Sequence, residues 1–279
     1  MKKVTGTISF RYLLGNCTCH LFLNAFFLFF LSGTCFAQTD APVWNIEKSE
    51  HFIVYYQDTG SEYVDKLIDR AEYFYNSIVD TLGFTRFDNF WTWDNRCKVY
   101  IYPSQEAYEK NTGQPHWSEA SVNVRDKIIN TFFNEENFYE SLLPHELGHI
   151  VFRQYVGVNI VLPLWLDEGV ACMQEQSKSR RLALARKLLG SNSFISLDQL
   201  MGKGGRMSLR DILSPGPFYA ESLSLVDFLL SEYGKEKFVD YCRELKDNKS
   251  NWLDSLLSKY DFKDISDMND KWINFLTMN

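Results

Sequence analysis

From Trp44 onward the apolar positions of the chain follow a mixture of strand and helix periods, and later almost only the helix period. Residues 51–56 run His51-Phe52-Ile53-Val54-Tyr55-Tyr56, a β-branched and aromatic stretch that predicts a strand. Between Glu62 and Leu82, the residues Val64, Leu67, Ile68, Ala71, Phe74, Tyr75 and Ile78 recur at helical spacing, and Gly83 supplies a stop. Residues 98–103 predict a second strand closed by Pro103, and residues 104–110 a short helix capped by Ser104. Residues 114–123, with Pro115, His116 and Trp117, read as a loop in which His116 is solvated. A third strand is predicted over 127–133. Residues 142–154 then place Leu142, Leu143, Leu147, Ile150 and Val151 on one side of a helix, and another helix opens at Leu164. The tail from Lys235 carries Phe238, Leu245, Trp252, Leu256, Leu257, Trp272 and Phe275 at mainly helical spacing, which predicts two or three packing helices.

The first 37 residues have a different pattern. Lys2, Lys3 and Arg11 come without any acid, an apolar run over 21–31 is broken only by Asn24, and Cys35-Phe36-Ala37 follows. This is the layout of a secretory signal peptide over 1–37, with cleavage before Gln38 and a periplasmic or extracellular destination. The apolar run is shorter than the ~20 residues that span a bilayer. An uncleaved anchor is the alternative, since apolar character extends back to Tyr12. The remaining residues, 38–279, suffice for a single domain, with an α/β half over 38–157 and a helical half over 158–279.

Loss of the three basic residues moves the formal charge from −7 to −10, an acidic balance that argues against a nucleic-acid partner. No stable membrane span is expected after cleavage. Cys97, Cys172 and Cys242 remain, an odd number without a framework spacing, and are expected to be buried thiols. Lys178, Arg180, Arg181, Arg186 and Lys187 form a basic patch that reads as a solvated helix face. Residues 202–206 are glycine-rich without the order of a phosphate loop and read as a flexible connection.

The chemistry begins inside the helix over 142–154, at His145-Glu146-Leu147-Gly148-His149. Each helical residue turns ~100°, so side chains four apart return to within ~40° and reach one ion. Two imidazoles suit Zn²⁺, and the adjacent Glu146 is placed to take a proton from water. The bland reading is two core histidines on an amphipathic helix. Catalytic zinc takes three protein ligands, so a third is required. The long-spaced form HExxHxxGxxH fails, because Phe152 stands for its glycine and Tyr155 for its last histidine. Glu168 stands nineteen residues after His149, in Leu164-Trp165-Leu166-Asp167-Glu168-Gly169-Val170-Ala171. Its neighbour Asp167 points ~100° away on a helix, so both cannot face one metal.

HELGH followed by WLDEGVA resembles the gluzincin zinc peptidases, within them the peptidase MA-like families related to the aminopeptidase N type. The resemblance covers about residues 98–234. It implies one Zn²⁺ held by His145, His149 and Glu168, with Glu146 as general base. It also implies an α+β, zincin-like fold: a small mixed sheet with an edge strand next to the HExxH helix, followed by a mainly helical C-terminal half. The strand over 127–133 is expected to be that edge, to which an extended peptide adds. Residues 218–229 resemble the helix whose tyrosine stabilises the oxyanion in that family, which gives this role to Tyr219. The aminopeptidase branch reads a free N-terminus through G-x-M-E-N, absent here, so endopeptidase action on a peptide or protein substrate is favoured. The rivals are a zinc-containing module that binds a peptide or envelope component without cutting it, and a latent enzyme whose own segment fills the cleft. Glu140 and Glu175 are candidates to hold the far nitrogens of the histidines, and Cys172 is a packed thiol near the site.

Overall fold

Alternating side chains build a five-stranded sheet, and its buried face sets where the helices lie. The computed structural model describes residues 43–84, 91, 95–116, 118–133, 138–191, 193–202, 215–247 and 251–278. The expected signal peptide over 1–37 and the glycine-rich stretch from 203 onward lie outside the described residues. The strands are β1 (Asn45–Lys48), β2 (Phe52–Tyr56), β3 (Cys97–Tyr102), β4 (Ala120–Asn123) and β5 (Ile128–Phe132), in the order β1-β2-β3-β5-β4. β2, β3 and β5 are parallel; β1 and β4 run antiparallel at the two edges. Register places Val54 beside Val99 and Val99 beside Ile129, so one apolar row crosses the central strands on the buried face.

Parallel strands need a crossover, and α1 (Ser61–Leu82) supplies the first. It buries Val64, Leu67, Ala71, Phe74, Tyr75 and Ile78 and ends at Gly83, whose φ of 76° is the left-handed conformation that suits glycine. α2 (Gln105–Thr112) begins where Ser104 accepts a hydrogen bond from the Ala107 N–H at 3.2 Å. His116 is exposed and sits 2.7 Å from Glu109.

β4 corrects the sequence reading twice. The stretch over 114–123 is a loop only in its first part, because residues 120–123 pair with β5. The strand predicted over 127–133 is consequently not an edge: β5 lies between β3 and β4, and the edge is β4. The reason is local turn chemistry. The Asn123 side chain accepts from the Asp126 N–H and donates to its carboxylate, and Lys127 takes a φ of 52°, which folds the chain back on itself. β1 was invisible to patterning, since all four of its residues are exposed.

The second half is helical: α3 (Leu143–Val156), α4 (Leu164–Met173), α5 (Lys178–Leu189), α6 (Leu197–Met201), α7 (Pro215–Asp247), α8 (Trp252–Tyr260) and α9 (Ile265–Met278). α3 follows a π-helical turn (Phe138–Leu142), and α7 is interrupted at Gly234 (φ 82°, ψ 161°). α4 packs against both α3 and α7, and it does so at backbone distance. A Cβ on Gly148 would stand 2.9 Å from the Ala171 Cα, and one on Gly169 would stand 2.8 Å from the Ser222 carbonyl carbon. Only glycine permits these approaches. Among the described residues no helix is long and apolar enough to cross a membrane. Cys97, Cys172 and Cys242 are buried and unpaired.

Candidate metal centre

Pro144 lies in the first turn of α3, and the next residue is His145. One turn on, His149 lies on the same side. The tight passage at Gly148 lets α4 bring Glu168 up to both. The two imidazole Nε2 atoms are 3.2 Å apart, and Glu168 Oε2 is 3.5 Å from each. Ligands ~2.05 Å from a tetrahedral zinc are ~3.3 Å from one another. The three donor atoms therefore fit one such ion.

Each histidine is backed by a carboxylate, and each carboxylate by an arginine. Asp167 Oδ1 lies 3.3 Å from His149 Nδ1, and no other donor among the described residues reaches this buried oxygen. A proton on Nδ1 answers it and turns Nε2 toward Glu168. Arg153, on α3 itself, donates twice to Asp167 Oδ2, at 2.8 and 3.0 Å, and once to the Ile160 carbonyl. On the other side His145 Nδ1 is 2.9 Å from Glu175 Oε1. Arg181 donates to both oxygens of Glu175, at 2.9 and 3.1 Å, and the Ser177 hydroxyl donates at 2.6 Å. Cys172 Sγ lies 3.9 Å from His145 Nδ1. His145, Cys172 and Glu175 also cluster as donors, but Arg181 and Ser177 occupy the Glu175 oxygens, so this is a hydrogen-bond cluster.

Burial opposes charge on all of these groups, and the pairings overcome it. Burial would lower the proton affinity of His149, yet the Asp167 and Glu168 carboxylates raise its pKa to about 10. His145 is likewise driven well above the imidazole range, against burial, by hydrogen bonds to Cys172, Glu168 and Glu175. Burial pushes Asp167, Glu168 and Glu175 upward, and their histidine and arginine partners hold all three well below the carboxylate range. The cluster thus draws positive charge to the space between its donors, a demand that a dication also meets.

Glu146 follows His145 on α3 and is half-buried; among the described residues no hydrogen bond holds its carboxylate. Tyr219, on α7, stands edge-on to the His145 ring with centroids 6.5 Å apart, and burial followed by the Glu168 charge pushes its pKa up to about 12. Glu140 does not join the site: its side chain is exposed, and only its carbonyl is used, by the Gln176 N–H. Asp167, Arg153 and Arg181 were not identified by sequence as partners of the histidines. Arg153 had a signal, standing four residues after His149 on the same helix. Arg181 had none, and it corrects the solvated basic patch, in which Lys178, Arg180 and Lys187 are exposed while Arg181 turns inward.

No curated protein matches the chain. Residues 94–278 match the family model described as the Peptidase MA superfamily.

Proposed function

The chain belongs to the peptidase MA superfamily, and on that basis we propose that it is an exported zinc-dependent peptidase that cuts within peptide chains. The carrying observation is the donor triangle, whose sides of 3.2, 3.5 and 3.5 Å match the edges of a zinc coordination tetrahedron. His145, His149 and Glu168 would hold the ion. When bound, zinc supplies Lewis acidity, polarising a carbonyl and bringing the pKa of water toward ~7.

The remaining steps belong to the chain. Glu146 takes the proton of the attacking water and passes it to the departing amine, a transfer worth ~10²–10⁴ in rate. Its carboxylate suits this, since no neighbour among the described residues occupies it. The Tyr219 phenol donates to the carbonyl oxygen as negative charge builds there, a contribution of ~3 kcal/mol. Asp167 and Glu175 fix which imidazole nitrogen carries the proton. Among the described residues β4 is the sheet edge, and α3 packs against this strand, so an extended peptide pairs there through its backbone without a side-chain requirement. The missing G-x-M-E-N supports endopeptidase action, and the layout of residues 1–37 supports export from the cytoplasm with cleavage near Ala37.

Zinc content of the exported protein, measured beside Glu168→Ala, tests the site; one zinc per chain, lost in the variant, is expected. Peptide-library cleavage by Glu146→Gln then tests the chemistry. The variant should keep its zinc and lose turnover by ~10²–10⁴. Undiminished turnover in this variant would overturn the assignment of the base, and zinc-loaded wild type that cuts nothing would favour a peptide-binding module.

A further inference from the structure

We propose that Arg181 is a positioning residue that holds His145 and Tyr219 in one fixed relation, an inference that rests on the metal-centre reading above. Four side chains from three helices and a turn close a ring of contacts. His145 on α3 meets Glu175, in the turn after α4, at 2.9 Å. Glu175 is gripped at both oxygens by Arg181 of α5. The Arg181 guanidinium carbon stands 5.7 Å from the centroid of the Tyr219 ring on α7. Tyr219 closes the ring, its plane at 84° to the His145 imidazole. Among the described residues the other histidine has no such connection: His149, Asp167 and Arg153 join α3 to α4, with one further bond to the Ile160 carbonyl in the loop between them.

The chemistry of the guanidinium makes Arg181 specific for this place. Its planar fork satisfies two carboxylate oxygens at once, which keeps Glu175 aimed at His145 Nδ1. The same cation attracts the electron-rich face of Tyr219. A lysine carries the charge but cannot make the two-oxygen contact. If α5 shifts, the metal-facing imidazole and the phenol shift together, so the spacing between metal and oxyanion donor is set from outside the ligand set.

The test compares exported wild type with Arg181→Met, Arg181→Lys and, as a control for charge loss on α5, Arg180→Met, whose side chain is exposed. Zinc affinity is read by chelator competition, and the coordination shell by the visible spectrum of the cobalt-substituted protein. Arg181→Met is expected to bind zinc ~10–100-fold more weakly and to change the cobalt spectrum, with Arg181→Lys between it and wild type. Arg180→Met should match wild type. In library-derived peptide cleavage, Arg181→Met should lower kcat more than it raises KM, and should cost less on a Tyr219→Phe background than on wild type. Zinc affinity within twofold of wild type in a folded Arg181→Met protein overturns the inference and leaves the function standing. Wild type without zinc overturns both. Wild type that holds zinc but cuts nothing overturns the peptidase function alone, and the zinc and cobalt measurements still decide the role of Arg181.

Discussion

At the candidate metal centre three buried carboxylates each face an arginine or an imidazole, whereas on α7 a fourth, Glu221, faces neither among the described residues. Asp167, Glu168 and Glu175 stay ionised against burial because a partner was folded in beside each. Glu221 is fully buried, and among the described residues both of its oxygens accept only the Ile195 N–H, each at 3.1 Å; burial raises its pKa to about 7. Desolvation acts alike in both regions, and among the described residues only the supply of cations differs. Charge is held at the candidate site, while Glu221 serves as a hydrogen-bond anchor for the segment that leads into α6.

Several substitutions test this contrast. Asp167→Ala should be the costliest, since it strips the partner from both His149 and Arg153; a loss of ~3–5 kcal/mol is expected in urea unfolding. A loss below 1 kcal/mol would mean that the pairing carries little. Glu175→Gln keeps the shape but not the charge, and chelator competition should report ~10–100-fold weaker zinc binding with a smaller change in stability.

Glu221→Gln should act in the opposite direction, and only at high pH. In the unfolded chain this carboxyl ionises near 4.5, in the folded one near 7. Below pH 4.5 both states are protonated and the stability is fully present. As the pH rises toward 7 only the unfolded state releases its proton, so folding stability falls, and above 7 the loss is complete. Glutamine should therefore match wild type at pH 4 and exceed it at pH 8 by roughly 1–3 kcal/mol in thermal unfolding. Equal stability at pH 8 would show that Glu221 has a partner charge. The smallest effect belongs to Glu72, which pairs with His51 at 2.6 Å in a partly buried setting: Glu72→Gln should cost about 0.5–1.5 kcal/mol by urea titration.

The long elements were legible because their apolar positions repeat often enough to define a period, as in α1. β1 and β4 were not, since four mostly polar residues contain too few repeats, and β4 exists through its pairing with β5. That omission moved the sheet edge by one strand. In the candidate site, the two motifs gave His145, His149 and Glu168, whose side chains the fold brings within 3.5 Å. The supporting groups were harder to read because each depends on how elements dock. Glu175 reaches His145 only because the chain turns after α4, and Glu140, nearer in sequence, points to solvent. Arg181 looked like one of several surface cations until α5 was packed against α7.

The glycines at 148 and 169 make α4 a shim of zero clearance between α3 and α7. An alanine at 169 would drive its Cβ into the Ser222 carbonyl oxygen and to 2.8 Å from the carbonyl carbon, so restoring an ordinary 3.4 Å would need α7 to retreat by more than about 0.6 Å. Sites of this kind tolerate errors of only ~0.5 Å in the placement of their reacting groups. One methyl group, in contact with neither metal nor substrate, would thus put the helix that carries Tyr219 out of gauge with the helix that carries Glu168.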